Sequence, residues 1–185
     1  VYGAMFLGQY RPAIEAAEEM ISSTLTAELL TVESPPMANW LEGFVSIKQH
    51  VLIRFGRWEE IIAQGLPEDQ ELYCVTTAII RYAKAVALAS IGDVPAAERE
   101  SALFDEALSR VPESRYIFNN TCLDILAIAR EMMLGEVEYR KGNFDAAFAH
   151  LGKSVELDGN LPYDEPWGWM QPTRHALGAL LLEQD

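Results

Sequence analysis

Apolar residues recur along this chain at intervals of three and four. Ile79, Ala83, Val86 and Ala87 form one such set, and Ile125, Ile128, Met132 and Met133 another. That spacing stacks side chains on one face of a helix. Alternating apolar and polar runs are missing, and no Asn-Gly or Asp-Gly pair separates β-branched stretches, so the pattern predicts no hairpin. Pro and Gly punctuate it at Ser34-Pro35-Pro36, Gly65-Leu66-Pro67, Val111-Pro112 and from Gly159 to Pro172. The segments between predict helices at 11–30, 37–55, 58–64, 70–91, 95–110, 118–141, 144–157 and 170–184. The fold class that follows is all-α.

Four predicted helix-helix turns read alike: Leu7-Gly8-Gln9-Tyr10, Phe55-Gly56-Arg57-Trp58, Ile91-Gly92-Asp93-Val94 and Lys141-Gly142-Asn143-Phe144. In each, a Gly stands where a helix ends most cheaply in the left-handed conformation. An apolar residue two places on starts the next helix, and three further on comes Ala13, Ile61, Ala97 or Ala147. A small side chain there lets two helices cross closely, and only Ile61 departs from it. The pair Leu134-Gly135 precedes the last of these turns and returns as Leu177-Gly178.

These features resemble the tetratricopeptide repeat, a helix-turn-helix unit marked by Leu-Gly, an aromatic after a Gly turn, and Ala. The match is tightest from Leu134 to Asn160; elsewhere it is looser, because the Gly-to-Gly intervals are 48, 36 and 50. Longer repeat proteins, many bacterial, share segments similar to RFGRWEE and LPYDEPWGWMQPTRHALGALLLEQ. The resemblance implies an α-solenoid of antiparallel helix pairs in a right-handed superhelical stack. Its units would span 1–30, 37–66, 70–111 and 118–160, with the first helix of a further unit at 170–185. The chain would be part of a longer protein, its end faces free to self-associate through Leu177, Leu180 and Leu181. Such pairs stack because each alone buries only one face. Trp58, Phe104, Phe118, Phe144, Leu151 and Val155 are the expected wedges, and the Pro35-Pro36 and Pro162-to-Pro172 stretches are expected on the surface.

The resemblance also implies a concave groove lined by first helices, at two, three, six and ten residues before each turn. Transferred here, that stripe holds Ser46, His50, Ile53 and Arg54; Tyr82, Val86, Ala89 and Ser90; Met132, Glu136, Tyr139 and Arg140; then His175, Ala179, Leu182 and Glu183. Tyr2, Met5 and Phe6 would line the first unit. Among these, His50, Arg54, Tyr82, Glu136, Tyr139, Arg140 and His175 have the composition of a recognition surface.

Composition narrows the partner. The 185 residues carry 28 acidic and 14 basic side chains, a formal charge of −14. With no Lys/Arg cluster to neutralise phosphates, nucleic acid is an unsuitable partner. Cys74 and Cys122 stand alone, which excludes a disulfide framework or zinc ribbon and favours a reducing, cytoplasmic setting. No apolar run approaches the ~20 residues of a membrane span.

Candidate chemistry is sparse. His50, His150 and His175 are scattered without metal-ligand spacing. His150 falls in a second helix, where exposure is expected. Asp158, Asp164 and Glu165 lack the spacing of a calcium loop, so turn and capping duty is the plainer role. Trp167 or Trp169 is expected to pin that loop onto the helices. No nucleophile elbow, phosphate loop or dinucleotide fingerprint is present, and Cys122 beside Asp124 has no histidine partner in sequence. The reading is a non-enzymatic protein- or peptide-binding scaffold without cofactor. The alternative is a groove that takes a small molecule or metal through His50, Glu136 and His175.

Overall fold

The computed structural model describes residues 1–166 and 168–184, and over these the chain is predominantly helical. The main helices are α1 (Tyr2–Phe6), α2 (Tyr10–Glu19), α3 (Ala27–Leu30), α4 (Met37–Leu41), α5 (Ile47–Arg54), α6 (Trp58–Ala63), α7 (Cys74–Ser90), α8 (Val94–Leu108), α9 (Cys122–Arg140), α10 (Phe144–Gly159) and α11 (Thr173–Leu182). A π-helical turn, Met20–Thr24, follows α2, and a 3-10 turn, Glu42–Ser46, precedes α5.

The four glycines adopt the backbone their turns demand. Gly8, Gly56, Gly92 and Gly142 have φ of 70°, 63°, 90° and 83°. At each turn the glycine N–H donates to the carbonyl three residues back, and the following N–H reaches five back, as in Asn143 N to Glu138 O at 2.9 Å. This double closure satisfies the last helical carbonyls. It folds α1 onto α2, α5 onto α6, α7 onto α8, and α9 onto α10. Ala13, Ile61, Ala97 and Ala147, each following its turn, are all fully buried.

Packing runs between neighbours. α2 meets α5, α6 meets α7, α8 meets α9 and α10 meets α11, while α7 also lies against both α5 and α9. The largest apolar cluster is centred on α7 and α9, where Val75, Ile79, Ile125, Leu126, Ile128 and Met133 close on Phe104 from α8. A smaller cluster joins α1, α2 and α5, and a third joins α9, α10 and α11 through Tyr139, Leu151 and Leu180.

Several expectations need correction. The helix expected at 118–141 begins at Cys122. Residues Tyr116–Ile117 and Asn120–Thr121 pair as a short antiparallel hairpin, turned by Phe118 at φ 52°. Phe118 is consequently exposed, resting edge-on against Phe44, and is not an inter-helix wedge; Phe144 is also partly exposed. The helix expected from 70 starts at Cys74. Its N-terminus is held by Glu42, whose buried carboxylate accepts from Val75 N at 3.3 Å and Thr76 N at 2.8 Å. The helix expected at 37–55 is three segments. At Gly43 an added Cβ would come within 2.6 Å of Ile117, so the chain bends there to admit the hairpin. The helix expected at 11–30 breaks after Glu19, and Leu180, expected to be uncovered, is buried.

Residues 160–172 are the largest departure. Pro162, Tyr163 and Glu165 are exposed, as expected of a surface stretch, but Asp164, Gly168, Trp169 and Met170 are buried; the segment forms an Ω-shaped loop, its ends tied where Thr173 Oγ1 donates to Asp158 at 3.0 Å. Asp164 is buried and accepts from Asn119 N at 3.1 Å and from the Asn120 side chain, clamping the loop to the hairpin. Trp169 and Met170 point inward and are buried. Trp167 lies outside the described residues.

Candidate functional site

The stripe expected along the first helices meets at one place, but not every member is accessible. Arg54 from α5, Tyr82, Val86 and Ser90 from α7, Met132, Glu136 and Arg140 from α9, and His175, Ala179 and Glu183 from α11 line a single cavity of about 310 Å³. Arg54, Ser90 and Arg140 come from the ends of helices that Gly turns close, Tyr82 and Met132 from further inside α7 and α9, and His175 from the first turn of α11. Ile53, Trp58, Ala176 and Leu180 supply an apolar wall.

His50 is not part of that surface. It is buried, and the Ω-loop covers it: its ring meets Trp169 edge-on with centroids 4.9 Å apart, and Gln171 Nε2 donates to its carbonyl at 3.0 Å. Burial lowers its pKa to about 4, so the ring is neutral at physiological pH. Tyr82 is likewise buried, its ring edge-on to Trp169 with centroids 5.5 Å apart, and burial, helped by the charge of Glu136, pushes its phenol up. Trp169 Nε1 donates to Met132 Sδ at 3.1 Å. The inner part of the expected stripe is therefore filled by the chain itself. Trp169 pins the loop onto the helices as expected of Trp167 or Trp169, but its place over His50, Tyr82 and Met132 had no local signal, because its contact with Met132 spans 37 residues of chain.

Tyr139 turns away from the cavity into the α9–α10–α11 cluster, where its ring packs on Phe144 and Phe148 and its hydroxyl accepts from Gln184 at 2.6 Å. Arg140 donates to Glu136 at 2.8 Å and lies 3.7 Å from Glu183, while Ser90 donates to Glu136 at 3.3 Å. Arg54 behaves differently. Its Nη1 lies 3.3 Å from His175 Nδ1 and its guanidinium stands 5.4 Å above the Phe6 ring. Phe6 and His175 thereby bring α1 and α11 together across the mouth, and His175 also borders an adjoining cavity of about 530 Å³ beneath the Ω-loop.

The remaining candidates are structural. Cys74 and Cys122 are both buried, and burial raises both thiols, the opposite of an activated nucleophile. Asp124 accepts from Thr121 at 2.6 Å at the start of α9. His150, expected exposed, is half-buried with Nδ1 2.7 Å from Glu131. Among the described residues no group of His, Cys, Asp and Glu is placed to hold a metal ion, and His50, Glu136 and His175 do not form one. No helix among them is long and apolar enough to cross a membrane. Comparison with family models, with curated proteins and with solved structures gives no match for this chain.

Proposed function

We propose that this chain is a binding module of tetratricopeptide-like helix pairs, stacked as a right-handed α-solenoid, that recognises a protein or peptide segment on its concave face. The observation that carries the reading is the convergence of α5, α7, α9 and α11 on one cavity with an apolar wall and a rim of Arg54, Glu136, Arg140, His175 and Glu183. The repeated Gly turns and the neighbour-to-neighbour packing support the repeat architecture. Because Trp169 fills the inner face, the segment would anchor one or two side chains in the open part and not lie along the whole groove.

A second reading, a small organic ligand, is favoured by one observation. The Ω-loop and α11 narrow the groove to about 310 Å³, at the lower end of the range for ligand pockets, roughly 300–1,000 Å³.

The test is to pan a random-sequence peptide library on the protein and measure the selected peptides by calorimetry against Arg54→Ala/Arg140→Ala. The double variant should bind about 2–5 kcal/mol more weakly if both cations are desolvated in the complex. Its stability should change by no more than about 1 kcal/mol, since exposed ion pairs contribute little. Equal affinity in parent and variant would place recognition elsewhere.

A further inference from the structure

The cations around the cavity are not equivalent. Arg140 is neutralised by Glu136 and Glu183. Arg54 makes no ion pair among the described residues; its nearest polar partner is another basic group, the His175 ring at 3.3 Å. A guanidinium only donates, so the imidazole must accept, and it can do so only while neutral. Two basic side chains from α5 and α11 thus face each other, without a carboxylate between them, in a chain of net charge −14. The carboxylates that could have served are occupied elsewhere. Asp158 accepts from Thr173, and Asp164 from Asn119 and Asn120. The other ionisable groups bordering the two cavities are Tyr82 on α7, Glu136 and Arg140 on α9, Tyr163 on the loop, Arg174 on α11 and Glu183 just after it. On α1, Tyr2 senses the charge of Asp158. Behind the Arg54–His175 pair the wall is apolar, built from Ile53, Trp58, Val86, Ala176 and Ala179.

We propose that Arg54 and His175 form an anion acceptor at the mouth of the cavity, which takes a carboxylate carried on an apolar stem. The proposal rests on the cavity being a binding site and adds the chemistry of what enters it. A carboxylate set between the two groups replaces the single guanidinium-to-imidazole contact by two hydrogen bonds in which both partners are charged, one from the guanidinium and one from an imidazolium that has taken a proton from solvent. The stem then displaces water from the wall. A cavity of 310 Å³ holds about ten water volumes, enough for one aryl or short alkyl group. The carboxylate is the shared chemistry of a free organic acid and of an acidic side chain in a peptide.

The experiment is calorimetric titration of the intact protein with 4-phenylbutyrate and with 4-phenylbutanol, its uncharged counterpart. It is run near pH 5.5 and near pH 8. The acid should bind about ten- to a hundredfold more tightly than the alcohol, and more tightly at the lower pH. Arg54→Gln should abolish the advantage of the acid, and His175→Gln should abolish its pH dependence, with circular dichroism unchanged in both. Equal binding of acid and alcohol overturns the anion acceptor while leaving the cavity reading intact. PH-independent binding of the acid overturns the role of His175. A blocked tetrapeptide with one Glu, against its Gln form, separates the sources: tighter binding of the Glu form assigns the carboxylate to a peptide, and binding by phenylbutyrate alone assigns it to a free acid. No binding of any probe overturns both the proposal and the cavity reading.

Discussion

His50 shows how burial redirects a residue whose type suggests chemistry. Six residues before Gly56, it lies on the stripe that a recognition surface would use, yet its ring packs against Trp169 and its Nδ1 has no hydrogen-bond partner among the described residues. A charged ring there would be desolvated without compensation, so the folded state holds it neutral down to about pH 4. The unfolded chain takes the proton first, at about 6.5. This group's contribution to stability is therefore complete above that value and is lost as pH falls towards 4. The slope is ~1.4 kcal/mol per pH unit, about 3 kcal/mol in all. Glu42 works in the other direction: burial raises it, so its contribution is present at low pH and is lost as pH rises through its folded value. Because Glu42 is common to parent and variant, their difference isolates His50. His50→Phe should flatten the acid limb of stability, read by urea unfolding at pH 7 and 4.5. The same loss in both proteins would show that the ring is protonated without penalty.

At the scale of elements, two identical-looking dipeptides turn out to do different things. Leu134-Gly135 on α9 and Leu177-Gly178 on α11 are the same pair returning along the sequence. At Gly135 an added Cβ would stand 2.6 Å from Leu151 Cγ and 3.3 Å from the Ala147 carbonyl, so α9 and α10 are in contact through the missing side chain. At Gly178 nothing lies within 4 Å. Gly135→Ala should destabilise by about 1–3 kcal/mol through overpacking. Gly178→Ala should be neutral or stabilise by up to about 1 kcal/mol, as expected for Gly to Ala in a helix. Chemical denaturation of both variants decides it, and equal destabilisation would mean that α11 is as tightly crossed as α9. The same contrast explains which elements were legible. The Gly turns, Ala crossings and long helices α7 to α10 follow from short-range spacing. The hairpin at 116–121 does not, because Phe118 takes a left-handed backbone that its type disfavours and that Phe44 and the bent 3-10 turn at Gly43 make room for.

Across the whole molecule, stability is distributed unevenly. α7 is covered on several sides, by α5, α6, α8 and α9, whereas α1 and α2 rest on a small cluster with α5. Local opening starts where the fewest apolar contacts must break. Hydrogen exchange should therefore be slowest in Val75–Val86 and Ile125–Val137 and faster by orders of magnitude in α1 and α2. Uniform protection would show a single cooperative unit and contradict this picture.

Periodicity and turn residues alone were enough to establish an all-α chain of paired helices, because both depend on contacts within a few residues, which sequence spacing encodes directly. The polar stripe was implied by the resemblance to the tetratricopeptide repeat. Which members of the stripe meet solvent was settled only in three dimensions. Trp169 is brought over His50 and Tyr82 by a loop anchored through Asp164 to a hairpin more than 40 residues away. Arg54 finds His175 across 121 residues. Contacts of that range leave no periodic trace, and they are set by how the helix pairs stack and by what the loop between α10 and α11 must bury.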